Sequence, residues 1–273
     1  MTKKLFAFDL DGTLLNSEKQ ISSANAAALK EMVASGAVVA LATGRLASSV
    51  AQYTTDPDID LALLTLNGAA VYTGKGDNNQ LIYSAKLDLE HVDFLVDYAW
   101  EKPYAFNYYN DDGKLFTTRT KLSTRWIDLY YQQTKTEYNF IDSFDTLRKQ
   151  SPFKIIFVGD PGDLDKEEVT LKKKFSESVY IVRSWDYYLE FLNPQANKAR
   201  GLKALADAYG IDLDNVVAFG DADNDVPLLA TAGKGIAMKN GSPKAKAAAN
   251  VVSEWTNDED AVAREWERLK AER

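Results

Sequence analysis

Two aspartates spaced i, i+2 stand at the end of an apolar run in Leu5-Phe6-Ala7-Phe8-Asp9-Leu10-Asp11-Gly12-Thr13-Leu14-Leu15. Ionised carboxylates at the mouth of a dry strand need a partner or a metal. Three further groups share that chemistry: Thr43-Gly44-Arg45, Lys198, and Gly220-Asp221-Ala222-Asp223-Asn224-Asp225. Asp9, Asp11, Asp221 and Asp225 bring four negative charges if all are ionised, and Lys198 returns one. A divalent cation leaves the set near neutrality and able to accept a phosphate. Oxygen donors suit Mg²⁺, which binds one or two carboxylates together with substrate phosphate. Such a cation orients a phosphoryl group and neutralises charge growing on its oxygens. An ionised carboxylate is a nucleophile without the help of a base. A second carboxylic acid two residues on can protonate a leaving alcohol and then activate water. Lys198 can bridge nucleophile and phosphate as a point charge. Thr43 offers a hydroxyl and a loop amide, and Asn224 a carboxamide, to phosphate oxygens.

The elements that must carry these groups are legible as strands. Leu5 to Phe8, Ala37 to Ala42, Leu61 to Leu66 and Val216 to Phe219 are nearly continuous apolar runs, the pattern of strands buried on both faces. Between them stand helix patterns: Ala24 to Ala34 behind a serine N-cap and before Gly36, a helix around Leu46 to Tyr53, and Lys198 to Tyr209 closed by Gly210. Alternating strand and helix predicts an α/β fold with a doubly wound parallel sheet. Ligands of such sheets lie outside the carboxyl ends of the strands. Asp9, Asp11, Thr43 and Asn67 all fall at strand exits. Gly235-Ile236-Ala237-Met238 reads as a short final strand, and Glu259 to Lys270 as a terminal helix.

Between these two stretches the texture changes. An amphipathic helix is expected over Asp88 to Trp100, then a hairpin through Asn110-Asp111-Asp112-Gly113. Leu122 to Gln133 and Leu164 to Phe175 read as helices, Lys154 to Val158 as a strand, and Tyr180 to Val182 with Tyr187 to Leu192 as a second hairpin. Hairpins mixed with helices mark an α+β unit. The expected division is a catalytic core of residues 1–82 and 193–273 around an inserted domain of residues 83–192.

Composition narrows the function. With 32 basic and 40 acidic residues the net charge is −8, which argues against a nucleic-acid or membrane-surface binder. Without cysteine, disulfides, thiolate catalysis and cysteine zinc sites are excluded. The single histidine, His91, removes any multi-histidine metal site and reads as an ordinary surface residue. No apolar run approaches a membrane span, and Met1-Thr2-Lys3-Lys4 lacks a signal-peptide pattern, so a cytoplasmic protein is expected. The composition carries no sign of oligomeric state.

Taken in order, Asp9-Leu10-Asp11-Gly12-Thr13, Thr43-Gly44-Arg45, Lys198 and Gly220-Asp221-Ala222-Asp223-Asn224-Asp225 resemble the four motifs of the haloacid dehalogenase (HAD) superfamily. More narrowly, the chain is similar to Cof-type phosphatases with a type IIB cap, with Asn67-Gly68-Ala69 and Gly235 to Asn240 also matching. The resemblance implies Asp9 as nucleophile and Asp11 as general acid/base. It implies Mg²⁺ held by Asp9, Asp221 and the Asp11 main-chain carbonyl, with Asp225 behind them. Phosphate would be held by the Leu10 amide, Thr43, Gly44, Lys198 and Asn224, while Arg45 and Asn67 contact substrate or support loops. The insertion would be a cap that closes over the crevice and selects substrates. The implied activity is hydrolysis of small phosphate monoesters, such as sugar phosphates, through an aspartyl-phosphate. Two alternatives stay open: a phosphotransferase of the phosphomannomutase type, and a non-catalytic phosphometabolite-binding regulator. The chain departs from the pattern at Pro227-Leu228, where Met-Leu is common, and at Ala199-Arg200-Gly201, where Lys-Gly is common.

Overall fold

The computed structural model describes residues 3–53, 55–100, 102–110 and 113–272, with Lys75 described in its backbone alone. The chain forms two compact units, Met1–Ser84 with Asn197–Arg273, and Ala85–Ala196.

The first unit begins with β1 (Leu5–Phe8), α1 (Ser23–Ala34), β2 (Val38–Ala42), α2 (Ala47–Val50), β3 (Leu61–Thr65), β4 (Ala70–Tyr72) and β5 (Leu81–Ser84). Every residue of β1, β2 and β3 is buried, as their apolar runs require. The Ser22 hydroxyl caps α1 by accepting from the Asn25 amide, and Gly36 takes a left-handed φ of 83° just past its end. The helix expected around Leu46 to Tyr53 is shorter and split. α2 gives way to a 3₁₀ turn at Ala51–Tyr53. Ser49 Oγ bonds back to the Leu46 carbonyl at 2.8 Å, the competition with helical bonding that weakens serine-rich segments.

The second unit contains α3 (Leu89–Ala99), β6 (Ala105–Tyr109), β7 (Leu115–Thr117), α4 (Thr124–Thr134), β8 (Tyr138–Phe140), β9 (Lys154–Val158), α5 (Pro161–Phe175), β10 (Tyr180–Trp185) and β11 (Tyr188–Leu192). Among the described residues its sheet has six strands in the order β10-β11-β9-β6-β7-β8. All neighbours are antiparallel except β7 and β8. Asp111 and Asp112 of the expected hairpin turn lie outside the described residues, but Tyr108 pairs with Phe116 and Tyr109 with Leu115 on either side. His91 is largely buried, edge-on to Phe175 at 5.2 Å, and not the surface residue its helix pattern suggested.

The first unit resumes with α6 (Lys198–Tyr209), β12 (Val216–Gly220), α7 (Val226–Thr231), β13 (Lys234–Ala237), α8 (Pro243–Ala248), β14 (Val251–Val252) and α9 (Ala261–Ala271). Its sheet runs β14-β13-β12-β1-β2-β3-β4-β5 among the described residues. From β14 to β3 the pairs are parallel, and β4 and β5 add an antiparallel edge. The expected final strand at 235–238 is therefore not the last, because the two-residue β14 follows it. Pro227 stands in the first turn of α7, where a missing N–H costs nothing.

Alternation along β1 divides the core. Phe6 and Phe8 pack with Leu29, Met32, Val262 and Trp266 on one face. Leu5 and Ala7 pack with Leu202, Leu205 and Leu228 on the other. Helices thus cover both faces, the doubly wound arrangement that the strand–helix alternation predicts. Trp266 is 2% exposed, meets Phe6 edge-on at 5.4 Å and donates its indole N–H to Glu31. Trp266→Ala is expected to destabilise the first unit by about 3–5 kcal/mol. Urea unfolding followed by far-ultraviolet circular dichroism checks this, and an unshifted midpoint would contradict the packing role.

Candidate active site

Strand order alone brings most of the chemistry together. β12, β1, β2 and β3 are consecutive and parallel, so their carboxyl ends line one edge. Asp9 follows β1 directly, and its amide continues the ladder by donating to the Phe219 carbonyl at 3.0 Å. Asp221 follows β12 on one side. On the other side, Thr43 follows β2, with its amide on the Leu64 carbonyl at 2.8 Å. Leu66-Asn67-Gly68 follows β3. Lys198 is the first residue of α6, behind an Asn197 cap that accepts from the Arg200 amide.

Lys198 is the electrostatic centre. Its ammonium is fully buried and bonds Asp9 Oδ1 at 2.6 Å and Asp225 Oδ1 at 2.5 Å. Burial alone would lower the lysine's pKa, but Asp9 and Asp225 outweigh it, and the pKa lies above the ordinary value. The other oxygen of Asp225 accepts from the amides of Asp221 and Ala222 at 3.0 and 2.9 Å, which fixes the loop after β12. Asp225 is thus wholly used in bonding, with no surface exposed.

Asp9, Asp221 and Asp225 each offer a carboxylate oxygen, and these atoms lie within 4.8 Å of one another. Burial pushes the Asp9 carboxyl up to about 8 against the pull of Lys198, with Asp225 and Asp221 adding repulsion. Burial likewise pushes Asp221 up to about 6, opposed by the Thr13 hydroxyl, which donates to its Oδ1 at 2.9 Å. Three carboxylates against one ammonium leave two excess negative charges, the amount that one divalent cation cancels. The donor set is all oxygen, so a hard cation fits and a thiophilic one does not. Gly12 keeps room beside Asp221: at φ 83°, a Cβ there would sit 2.5 Å from Asp221 Oδ2. Asn240 holds the same turn by donating to the Gly12 carbonyl at 2.8 Å.

Asp11 is elsewhere electrostatically. Its carboxylate accepts from Arg45 Nε at 2.8 Å and Nη2 at 2.6 Å, a bidentate pair, and from Lys19 Nζ at 2.9 Å. Partial burial opposes ionisation, but these two cations hold the pKa below the ordinary carboxylate value. Thr43 Oγ1 accepts from the Arg45 amide at 3.1 Å, and Asn224 Nδ2 donates to Asn67 Oδ1 at 3.0 Å. The Leu10 carbonyl accepts from the amides of Thr13 and Leu15, which curls the chain tightly after Asp9. The structure thus ties Asp9, Asp225 and Lys198 directly, keeps Asp221 beside them, and gives Asp11 and Arg45 to each other.

Sequence reasoning missed the roles of Thr13 and Lys19 and, for Asn67, its partner. Thr13 orients Asp221, and its place in the Asp-x-Asp-Gly-Thr run was a usable signal. Lys19 reaches Asp11 from a loop that carries no motif. Asn67 touches Asn224, 157 positions away, which no local pattern reveals.

A family model described as haloacid dehalogenase-like hydrolase matches residues 6–265. The 5-amino-6-(5-phospho-D-ribitylamino)uracil phosphatase of Bacillus subtilis is 32% identical over 285 residues, covering 95% of this chain and 96% of that protein. Among solved structures, a haloacid dehalogenase-like hydrolase from Bacteroides thetaiotaomicron is 28% identical, with TM-score 0.87 over 98% of this chain and 100% of that one. A HAD subclass IIB sugar phosphatase shares the fold at 22% identity, with TM-score 0.81 over 98% of this chain and 99% of that one.

Removing Lys198 leaves two buried carboxylates without their cation. Lys198→Met is expected to cost about 3–5 kcal/mol of folding stability in chelator. Thermal or urea melts read this directly, and wild-type stability in the variant would show that the pair is electrostatically idle.

Proposed function

Since the chain belongs to the haloacid dehalogenase-like hydrolases, we propose that it is a phosphatase of small phosphorylated metabolites, working through an aspartyl-phosphate on Asp9. The observation that carries this is Asp9 itself: a buried carboxylate bonded to a buried Lys198, among acids placed so that they could hold a further cation.

In this reading Asp9 attacks phosphorus and the ester oxygen leaves with the bonding electrons. Asp11, protonated, gives that oxygen its proton and becomes a carboxylate. Water then attacks the aspartyl-phosphate, Asp11 takes a proton from it, and phosphate leaves as the Asp9 carboxylate re-forms. Arg45 and Lys19 hold Asp11 ionised in the structure described, so Asp11 must exchange them for the leaving oxygen before it can donate. Lys198 stays beside Asp9 and supports the incoming phosphoryl oxygens as a fixed positive charge. The Leu10 amide, Thr43, Gly44 and Asn224 supply neutral donors to the same oxygens. A divalent cation such as Mg²⁺, held by Asp9, Asp221 and the Asp11 main-chain carbonyl, with Asp225 bracing the site, would supply charge neutralisation and orientation of the phosphoryl group.

The Bacillus subtilis relative is named for a phosphate ester of a ribityl chain, which supports a polyol- or sugar-like phosphate as the substrate class. We assign substrate choice to the unit Ala85–Ala196, which is inserted between the second and third motifs.

A panel of sugar and polyol phosphates assayed for free phosphate tests the activity. Release of phosphate is the expected result; an isomerised ester without release would move the chain to the phosphotransferases. Chelation of divalent cations should abolish turnover and added Mg²⁺ should restore it; turnover indifferent to chelator would remove the metal. Asp9→Asn should lower kcat by on the order of 10⁴-fold or more while the protein remains folded. Turnover near the wild-type rate would refute the nucleophile.

A further inference from the structure

The turn after β3 is conformationally costly and touches three of the four motifs. Leu66, Asn67 and Gly68 are consecutive left-handed residues, with φ of 53°, 57° and 86°. Asparagine tolerates that region, whereas leucine does so only where surrounding bonds impose it. Those bonds are on hand. The Leu66 amide donates to the Arg45 carbonyl at 3.0 Å, and the Asn67 amide donates to the Thr43 carbonyl at 2.9 Å. The Asn67 carboxamide lies against Gly44, where a Cβ would stand 3.2 Å from its Oδ1. That same Oδ1 accepts from Asn224 Nδ2 at 3.0 Å. Gly68 presses on the start of α6, where a Cβ would stand 2.4 Å from the Asn197 carbonyl, one residue before Lys198. Strain held in place by many contacts beside these charged groups points to a role in the site.

We propose that Asn67 is a positioning residue that orients the Asn224 carboxamide toward the phosphoryl site, with its left-handed backbone fixing the distance to the Thr43-Gly44 loop. The proposal rests on the phosphatase reading for the identity of the bound group. Asn67 acts through Asn224: Asn67 Oδ1 takes one N–H of the amide and thereby sets the plane in which the other N–H points. Without that acceptor the exposed Asn224 side chain rotates freely, and its donor is lost to the phosphate as an ordering cost.

The test is a double-mutant cycle read by calorimetric titration with inorganic phosphate in excess Mg²⁺, so that no turnover is required. Glycine occupies φ 57° without strain, so Asn67→Gly keeps the turn and deletes the acceptor. It is expected to melt near the wild-type temperature and to bind phosphate about tenfold more weakly, the size of one charge-assisted hydrogen bond. Asn224→Ala in the wild-type background should cause a similar loss. In the Asn67→Gly background it should add less than about twofold, since the donor is already disordered. Asn67→Asp keeps both the left-handed backbone and an acceptor oxygen. In that background Asn224→Ala should regain its full effect, whatever the added charge does to affinity on its own. Three results would overturn the proposal: unchanged phosphate affinity in Asn67→Gly, additive losses in the double variant, or collapse of the fold in Asn67→Gly, which would assign Asn67 to stability alone. Wild-type protein that binds phosphate but releases none from esters would overturn the phosphatase reading and leave this coupling intact. Wild-type protein that binds no phosphate would overturn both.

Discussion

Everything at this site depends on a lysine ammonium kept dry between two carboxylates. Lys198 has no exposed side-chain surface, and neither does Asp225, while Asp9 has little. Taking such charges out of water costs several kcal/mol per ion before their attraction is counted. Geometry therefore has to be set by something stronger than the pair itself, and here it is set by the sheet. β1 and β12 are adjacent and in parallel register through Phe8 and Phe219, so Asp9 and Asp221 emerge side by side. The start of α6 then delivers Lys198 from a helix whose own face is anchored by Leu202 and Leu205 in the core. Apolar packing over the two faces holds the backbone while the charges remain imperfectly balanced. The imbalance is negative, and that makes the place receptive to a cation.

The same logic explains where strain is stored. A left-handed leucine costs roughly 1–2 kcal/mol relative to the right-handed form. At Leu66 that cost is offset by two backbone bonds to the loop after β2 and by close packing of Gly68 on α6. A relaxed turn after β3 would leave the loop bearing Thr43 tied on that side by the bond of its amide to the Leu64 carbonyl, without the bonds from Leu66 and Asn67. The bend is what makes the loops after β2, β3 and β12 mutually dependent.

Much of this was legible in the sequence, and the reason is periodicity and burial. β1, β2, β3 and β12 are buried on both faces, so their apolar runs are uninterrupted and their exits easily seen; the acids at those exits follow. β4 and β14 are only three and two residues long, too short to show a period, and β5 is half exposed. In α2, Ser49 bonds back to the Leu46 carbonyl, which competes with helical bonding. In the site, the groups that belong to strand ends were visible, whereas Lys19 on Asp11 and Asn67 on Asn224 were not. Both contacts depend on how loops fold over one another, and loops leave no periodic trace.

The pair of aspartates that begins the chain's chemistry ends in two opposite electrostatic states. Asp9 and Asp11 are separated by one residue, yet burial raises the first to about 8 while Arg45 and Lys19 hold the second below its ordinary value. Neither state is the one the proposed mechanism uses, in which Asp9 is ionised to attack and Asp11 carries a proton to release the leaving oxygen. A cation among Asp9, Asp221 and Asp225 would stabilise the Asp9 carboxylate, and a leaving oxygen that displaced Arg45 and Lys19 would let Asp11 regain its proton. Burial and two neighbouring cations thus drive the two acids apart in pKa. In the proposed mechanism both changes come with a phosphorylated substrate and its counter-cation.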